Sequence, residues 1–202
     1  MSYKFKYILM LIFISLHVIT LSSCSAGESG AGIADTTVYA DEDNDNKSTQ
    51  EAGKRLSSYS TEFSEWVKAR NHNIALAAKA IDGTVINQGE TFSYNETVGP
   101  TISSKGYKKA RTFFRGRETK GVGGGVCQVS STLYNAALQA GMEIVERHPH
   151  TRKVEYVPEG LDAATSYGGI DLKFKNNYDS PVVIKAVTDK NSVEISLFMQ
   201  TV

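Results

Sequence analysis

The stretch GVGGGVCQVSSTLYNAAL, residues 121–138, decides how this chain is read. Cys127 follows Gly121, Gly123, Gly124 and Gly125, and behind it Val129, Leu133, Ala136 and Ala137 recur at helical spacing. The spacing predicts a helix over 128–140 with Gly141 as its stop. A thiol at a helix N-terminus sits where backbone N–H groups and the macrodipole favour an anion, so its pKa should fall. Glycines tolerate positive φ and let a substrate come close to the backbone. A nucleophilic cysteine uses both properties. The plainer alternative is an inert thiol packed beside a tight loop, since free cysteine is among the most buried residue types.

A thiolate nucleophile needs a base to take its proton and return it to a leaving group. The segment Arg147-His148-Pro149-His150 supplies two imidazoles shortly after the cysteine helix. Two residues apart, they share a face if the segment is extended. His150 is preferred as the base because 153–157 reads as a strand directly after it; His148 is the alternate. A base histidine in turn needs an orienting carboxylate. Asp162, in a loop after Glu159-Gly160-Leu161, and Asp171, inside the apolar Ile170-Asp171-Leu172, are the candidates, and spacing does not choose between them. The backbone N–H groups of Cys127 and Gln128 beside Gly125 are candidate oxyanion donors, and the Ser130 hydroxyl is a candidate substrate contact. Cys127, His148 and His150 could instead hold Zn²⁺ with one open position, but standard metal spacing is missing, so no metal and no cofactor are expected.

The flanks say where this chemistry takes place. Residues 1–23 carry two lysines, an apolar run over 7–21 and then Ser22-Ser23, the pattern of a secretory signal peptide. Leu21-Ser22-Ser23-Cys24 resembles a bacterial lipobox, which makes Cys24 a lipidation site and Cys127 the single remaining thiol. The expected location is the outer face of the bacterial cytoplasmic membrane, with a lipid on Cys24 as the membrane partner. Residues 24–55, rich in Ser, Gly, Asp, Glu and Asn, read as a disordered acidic tether. Its run Asp41-Glu42-Asp43-Asn44-Asp45-Asn46 lacks the glycine and terminal glutamate of a Ca²⁺ loop.

Residues 56–202 are long enough for one core and read as a single catalytic domain. The whole chain balances 22 Lys+Arg against 22 Asp+Glu, so it is no overall polycation. A local basic excess lies at Lys105, Lys108, Lys109, Arg111, Arg115, Arg117 and Lys120. Most of it reads as a solvated face, with Arg111, Arg115 or Arg117 available to hold a substrate carboxylate. Nucleic acid is not an expected partner of an exported protein. Other expected elements are a helix over 71–82, a short strand over 84–86, an extended stretch over 91–98, and strands over 142–147, 153–157, 170–175, 181–188 and 192–199. The class is α+β: a small antiparallel sheet packed with two or more helices, and the cysteine at a helix N-terminus.

The segments GETFSYNETVGP (89–100), GGGVCQVSSTLYNAAL (123–138), ERHPH (146–150), YVPEGLDA (156–163) and DLKFKN (171–176) together resemble the VanW-like domain. Gln88 departs from the family pattern, which usually has proline before Gly-Glu. The resemblance implies work on peptidoglycan, with the motif cysteine as nucleophile of an L,D-transpeptidase. Carried over, it makes Cys127 the nucleophile and His150 and Asp162 its partners, with stem peptides as substrate. A peptidase or carboxypeptidase using the same dyad, and a non-catalytic cell-wall or glycopeptide-resistance module, are the alternatives.

Overall fold

The structure is a computed structural model describing residues 53–114 and 117–200. The expected signal peptide, Cys24, nearly all of the tether, and Arg115 lie outside the described residues. The described residues form three antiparallel sheets, three α-helices and a short 3-10 turn over Ser103–Lys105, an α+β arrangement. Its main sheet has the order β1-β9-β8-β2, with β1 Lys54–Glu62, β2 Val85–Ile86, β8 Val182–Thr188 and β9 Ser192–Met199. On β9 the side chains of Val193, Ile195 and Leu197 are buried, the two-residue period of a strand with one covered face. They meet Val182 and Ile184 of β8 and the helices α1 (Lys68–Ile81) and α3 (Val126–Gln139). The buried stripe of α1, Ile74, Ala77, Ala78 and Ile81, follows the helical period. The matching stripe of α3 is Val129, Leu133, Ala136 and Ala137.

The second sheet, β3-β7-β6, joins Thr91–Ser93, Lys173–Lys175 and Glu143–Glu146, and Phe92 packs on Phe174 with ring centroids 5.0 Å apart. The third is a hairpin of β4 (Lys109–Phe114) and β5 (Arg117–Val122), in which Arg111 pairs with Lys120. Their like charges face each other across strands that lie at the surface, which marks a solvated basic hairpin.

Some expectations need correction. Residues 91–98 are not extended throughout: after Ser93 the chain turns into α2, Tyr94–Val98. The Ser93 hydroxyl accepts the Glu96 N–H at 3.1 Å, so Ser93-Tyr94-Asn95-Glu96 is a helix start of the capping-box type. Residues 153–157 form no strand; Val154 and Val157, three apart, are the buried pair, which is not the period of an extended chain. β1 begins at Lys54, inside the expected tether, and pairs with β9 along its length.

Candidate active site

The glycines before Cys127 make a loop that only small residues fit. Gly123 and Gly125 hold φ of 85° and 110°, in the region where side chains are strained. A Cβ on Gly124 would stand 2.4 Å from the Arg111 carbonyl oxygen, and one on Gly125 would meet Arg70 Cγ at 2.9 Å. The buried Asn73 of α1 grips this loop from below, its amide donating to the Gly124 and Lys108 carbonyls at 2.9 Å each. The loop feeds α3, in which Cys127 is the second residue.

α3 has an unusually polar buried face for a core helix: Gln128, Ser130, Ser131, Thr132 and Asn135 are all covered. Each of these groups has a partner, as buried polar groups must. Ser130 donates to the Ala163 carbonyl at 2.7 Å, Ser131 accepts the Ala163 N–H at 2.9 Å, and Asn135 donates to the Leu161 carbonyl at 2.7 Å. These bonds fasten residues 161–163 along the helix that carries the thiol. Arg147 closes the other side. Its Nε donates to the Asp162 carbonyl at 2.6 Å and its Nη2 to Asp162 Oδ1 at 2.8 Å. The Ala164 N–H donates to the His148 carbonyl at 2.8 Å, so 148–150 runs beside 162–164.

The result brings Cys127, His150 and Asp162 together. Asp162 Oδ2 accepts the His150 backbone N–H and also lies 2.6 Å from Nδ1 of the ring. A carboxylate only accepts, so Nδ1 carries the proton and Nε2 is the nitrogen left for the thiol. Burial alone would push the half-buried Cys127 thiol up; its pairing with the His150 imidazole and with Thr165 outweighs this and lowers its pKa. Burial disfavours the His150 cation, yet Cys127 and Asp162 raise its pKa overall. The Asp162 carboxyl, pushed up by burial, is held below its usual range by His150 and Arg147. The opposite shifts on sulfur and ring favour a thiolate–imidazolium pair. Sγ lies 3.5 Å from the Thr165 carbonyl and 3.9 Å from its hydroxyl.

The other expected residues lie elsewhere or do other work. His148 pairs with Glu146 through Nε2 at 3.1 Å. Asp171 accepts from Ser93 Oγ at 2.6 Å and from the Asn95 and Leu172 N–H groups, so it organises the start of α2. Ser130 is fully buried and is a clasp for Ala163, not a substrate contact. The Gln128 N–H is taken by the Gly125 carbonyl at 3.0 Å, so it is not the expected oxyanion donor. Among the described residues no backbone carbonyl takes the Cys127 N–H, which leaves that donor at the helix start. No cluster of His, Cys, Asp and Glu among the described residues is arranged to hold a metal ion.

Cys127 opens onto a cleft of about 830 Å³, whose walls come from Val67 and Arg70 on the α1 side, Arg111 on the hairpin, and residues 149–156. Arg117 does not line it. Two residues there escaped the sequence reading. Arg70 donates from Nη2 to Gln128 Oε1 at 2.6 Å, and its Cζ lies 6.0 Å from the Tyr156 ring centroid. Tyr156 also stands edge-on to the His150 ring, with centroids 6.5 Å apart, and burial raises its hydroxyl far above the usual range, so it is a neutral donor. α1 starts at Lys68 behind Val67, which has no capping side chain, so no residue signal announced the turn that carries Arg70.

Comparison with known proteins extends this. The family model described as VanW like protein matches residues 69–198. The chain is 48% identical over 155 residues to the uncharacterized protein YoaR of Bacillus subtilis (strain 168), covering 77% of this chain and 50% of that protein. It is 35% identical over 126 residues to the vancomycin B-type resistance protein VanW of Enterococcus faecalis (strain ATCC 700802 / V583), covering 60% of this chain and 46% of that protein. The chain thus spans about half the length of these relatives. No solved structure matches it. With the family match running through most of the chain and a relative nearly half identical across three quarters of it, this protein belongs to the VanW-like family.

Proposed function

We propose that the protein is a cysteine acyltransferase acting on peptidoglycan stem peptides, an L,D-transpeptidase that forms 3-3 cross-links through a thioester on Cys127. The observation that supports this reading is the Cys127–His150–Asp162 arrangement, with opposed pKa shifts on thiol and ring, at the wall of an open cleft. The thiolate attacks the carbonyl carbon of the third residue of a stem tetrapeptide, forming the C–S bond. The oxyanion is held by the Cys127 N–H at the start of α3, where the helix dipole favours negative charge. His150 Nε2 protonates the departing nitrogen, the C–N bond breaks, and D-alanine leaves. A side-chain amine of a neighbouring stem then attacks the thioester and gives its proton to His150; a new C–N bond forms and the thiolate is released. Asp162 keeps the ring oriented and its cation stabilised throughout.

The cleft is open enough to admit water, and water in place of the amine would make the protein a carboxypeptidase. The vancomycin-resistance name of one relative is consistent with either activity on the wall. The sequence pattern at Cys24 supports lipid anchoring on the outer face of the cytoplasmic membrane; among the described residues no helix is long and apolar enough to cross a membrane. Incubating the chain with purified disaccharide-tetrapeptides and separating the products tests the proposal. Dimers that appear with the native chain and vanish with Cys127→Ala are the expected result. Tripeptides without dimers would assign hydrolysis, and unchanged tetrapeptide would sink the catalytic reading.

A further inference from the structure

Arg70 is a half-buried cation with no carboxylate paired to it among the described residues, and the Cys127 sulfur is an anionic group that acts on it. Its acceptor is the neutral Gln128 amide, and among the described residues it forms no ion pair, although the exposed Glu62 and Glu155 line the same cleft. Its aim is fixed from behind. Gln128 is fully buried, and its Nε2 donates to Thr61 Oγ1 and the Glu62 carbonyl at 2.9 Å each, so its Oε1 must face the guanidinium. The stem of Arg70 runs across Gly125, where a Cβ would strike it, and this brings the side chain past the start of α3 beside Cys127. Tyr156 covers one flank. Burial lowers its pKa, with Arg111 adding to this and Tyr156 and Cys127 opposing it, yet a guanidinium stays charged in protein. A pinned, partly desolvated guanidinium in a cleft is suited to a planar anion, which it binds through paired N–H donors.

We propose that Arg70, held by Gln128 and Tyr156, is the anchor for the free C-terminal carboxylate of the acyl donor, so that the cleft selects peptides ending one residue beyond the attacked carbonyl. The proposal rests on the peptide substrate of the preceding section and names what that substrate must carry. It gives the carboxylate a holder on α1 in the cleft that Arg111 also lines and Arg117 does not.

The test is binding, so it does not depend on turnover. The full chain carrying Cys127→Ala is titrated calorimetrically with a stem tetrapeptide ending in D-alanine, as the free acid and as its C-terminal amide. The acid should bind roughly tenfold or more tightly than the amide, the size expected of a charge-assisted pair. Adding Arg70→Gln should abolish that preference, and Arg70→Lys should retain part of it. Thermal melts of each variant separate misfolding from lost recognition, and the acid–amide comparison with Arg70 in place needs no second variant. Equal affinity for acid and amide, a preference that survives Arg70→Gln, or no binding of either peptide would overturn the proposal. Absence of a peptide adduct on Cys127 in the native chain would instead count against the catalytic reading and leave this recognition intact.

Discussion

At the scale of residues, the proposed chemistry depends on one ring holding one proton on the nitrogen that faces Asp162. Nδ1 of His150 faces Asp162 at 2.6 Å, and Asp162 is held in turn by Arg147 at 2.8 Å. Alkylation of Cys127 by iodoacetamide, followed against pH, should therefore titrate below the ordinary cysteine range, falling off only as pH drops through the lowered thiol value. His150→Ala removes the imidazole's stabilisation of the thiolate while burial still opposes it, and the titration should move upward; an unchanged profile would mean that the ring does not act on the thiol. Asp162→Asn keeps the shape and removes the charge, and should lower stability by about 1–3 kcal/mol at neutral pH. The sign follows from the depressed Asp162 pKa: the advantage of aspartate is complete above the usual carboxylate range and shrinks as pH falls through the depressed value. Urea melts of both proteins across acid pH check it, and a gap that widened on acidification would contradict it. Cys127 and the two histidines were legible because thiols and imidazoles are rare and chemically pointed. The choice of Asp162 over Asp171 was not legible from spacing, since it is made by a loop that Ser130, Ser131 and Asn135 fasten in place. The structure places the ring of His150 between Asp162 and Cys127, but the strand over 153–157 on which the preference for it rested does not form.

At the scale of elements, the glycine loop is the joint between hairpin, α1 and α3. Gly124 is its tightest point, against the backbone of Ala110 and Arg111. Gly124→Ala should cost about 1–3 kcal/mol, since the clash is with main chain that cannot turn aside. It should also slow Cys127 alkylation, because relief of the clash shifts the start of α3; native stability and native alkylation together would refute this role. The long periodic elements were readable: α3 was expected over 128–140 and found over Val126–Gln139, and β9 was found at its expected 192–199. Their burial stripes repeat over several turns or pleats, which makes the period clear. α2 was missed although Ser93 and Glu96 signal its start, because five residues hold too few repeats to outweigh an extended reading. The hairpin of β4 and β5 was hidden because Lys109, Arg111, Arg117 and Lys120 are exposed and interrupt any apolar alternation.

At the scale of the whole molecule, the fold is a support that holds two distant stretches of chain across one cleft. β1 contributes Thr61 and Glu62, which fix Gln128 and through it Arg70, while the segments around His150 and Asp162 are fastened to α3 and to each other. Cys127, His150 and Arg70 thus come from separate stretches that only the folded main sheet and helices bring into register. The α+β class was visible from element order, whereas the pairing of β1 with β9 was not, since nothing in 54–62 indicates a partner at the far end of the chain. We propose that this assembly makes a covalent enzyme. That claim is tested most directly by intact mass of the full chain mixed with a stem tetrapeptide and quenched in acid. A mass gain equal to the peptide less its terminal alanine, mapped to Cys127, is expected in the native chain and should be missing in Cys127→Ala. No gain in the native chain, or one located on any other residue, would contradict it.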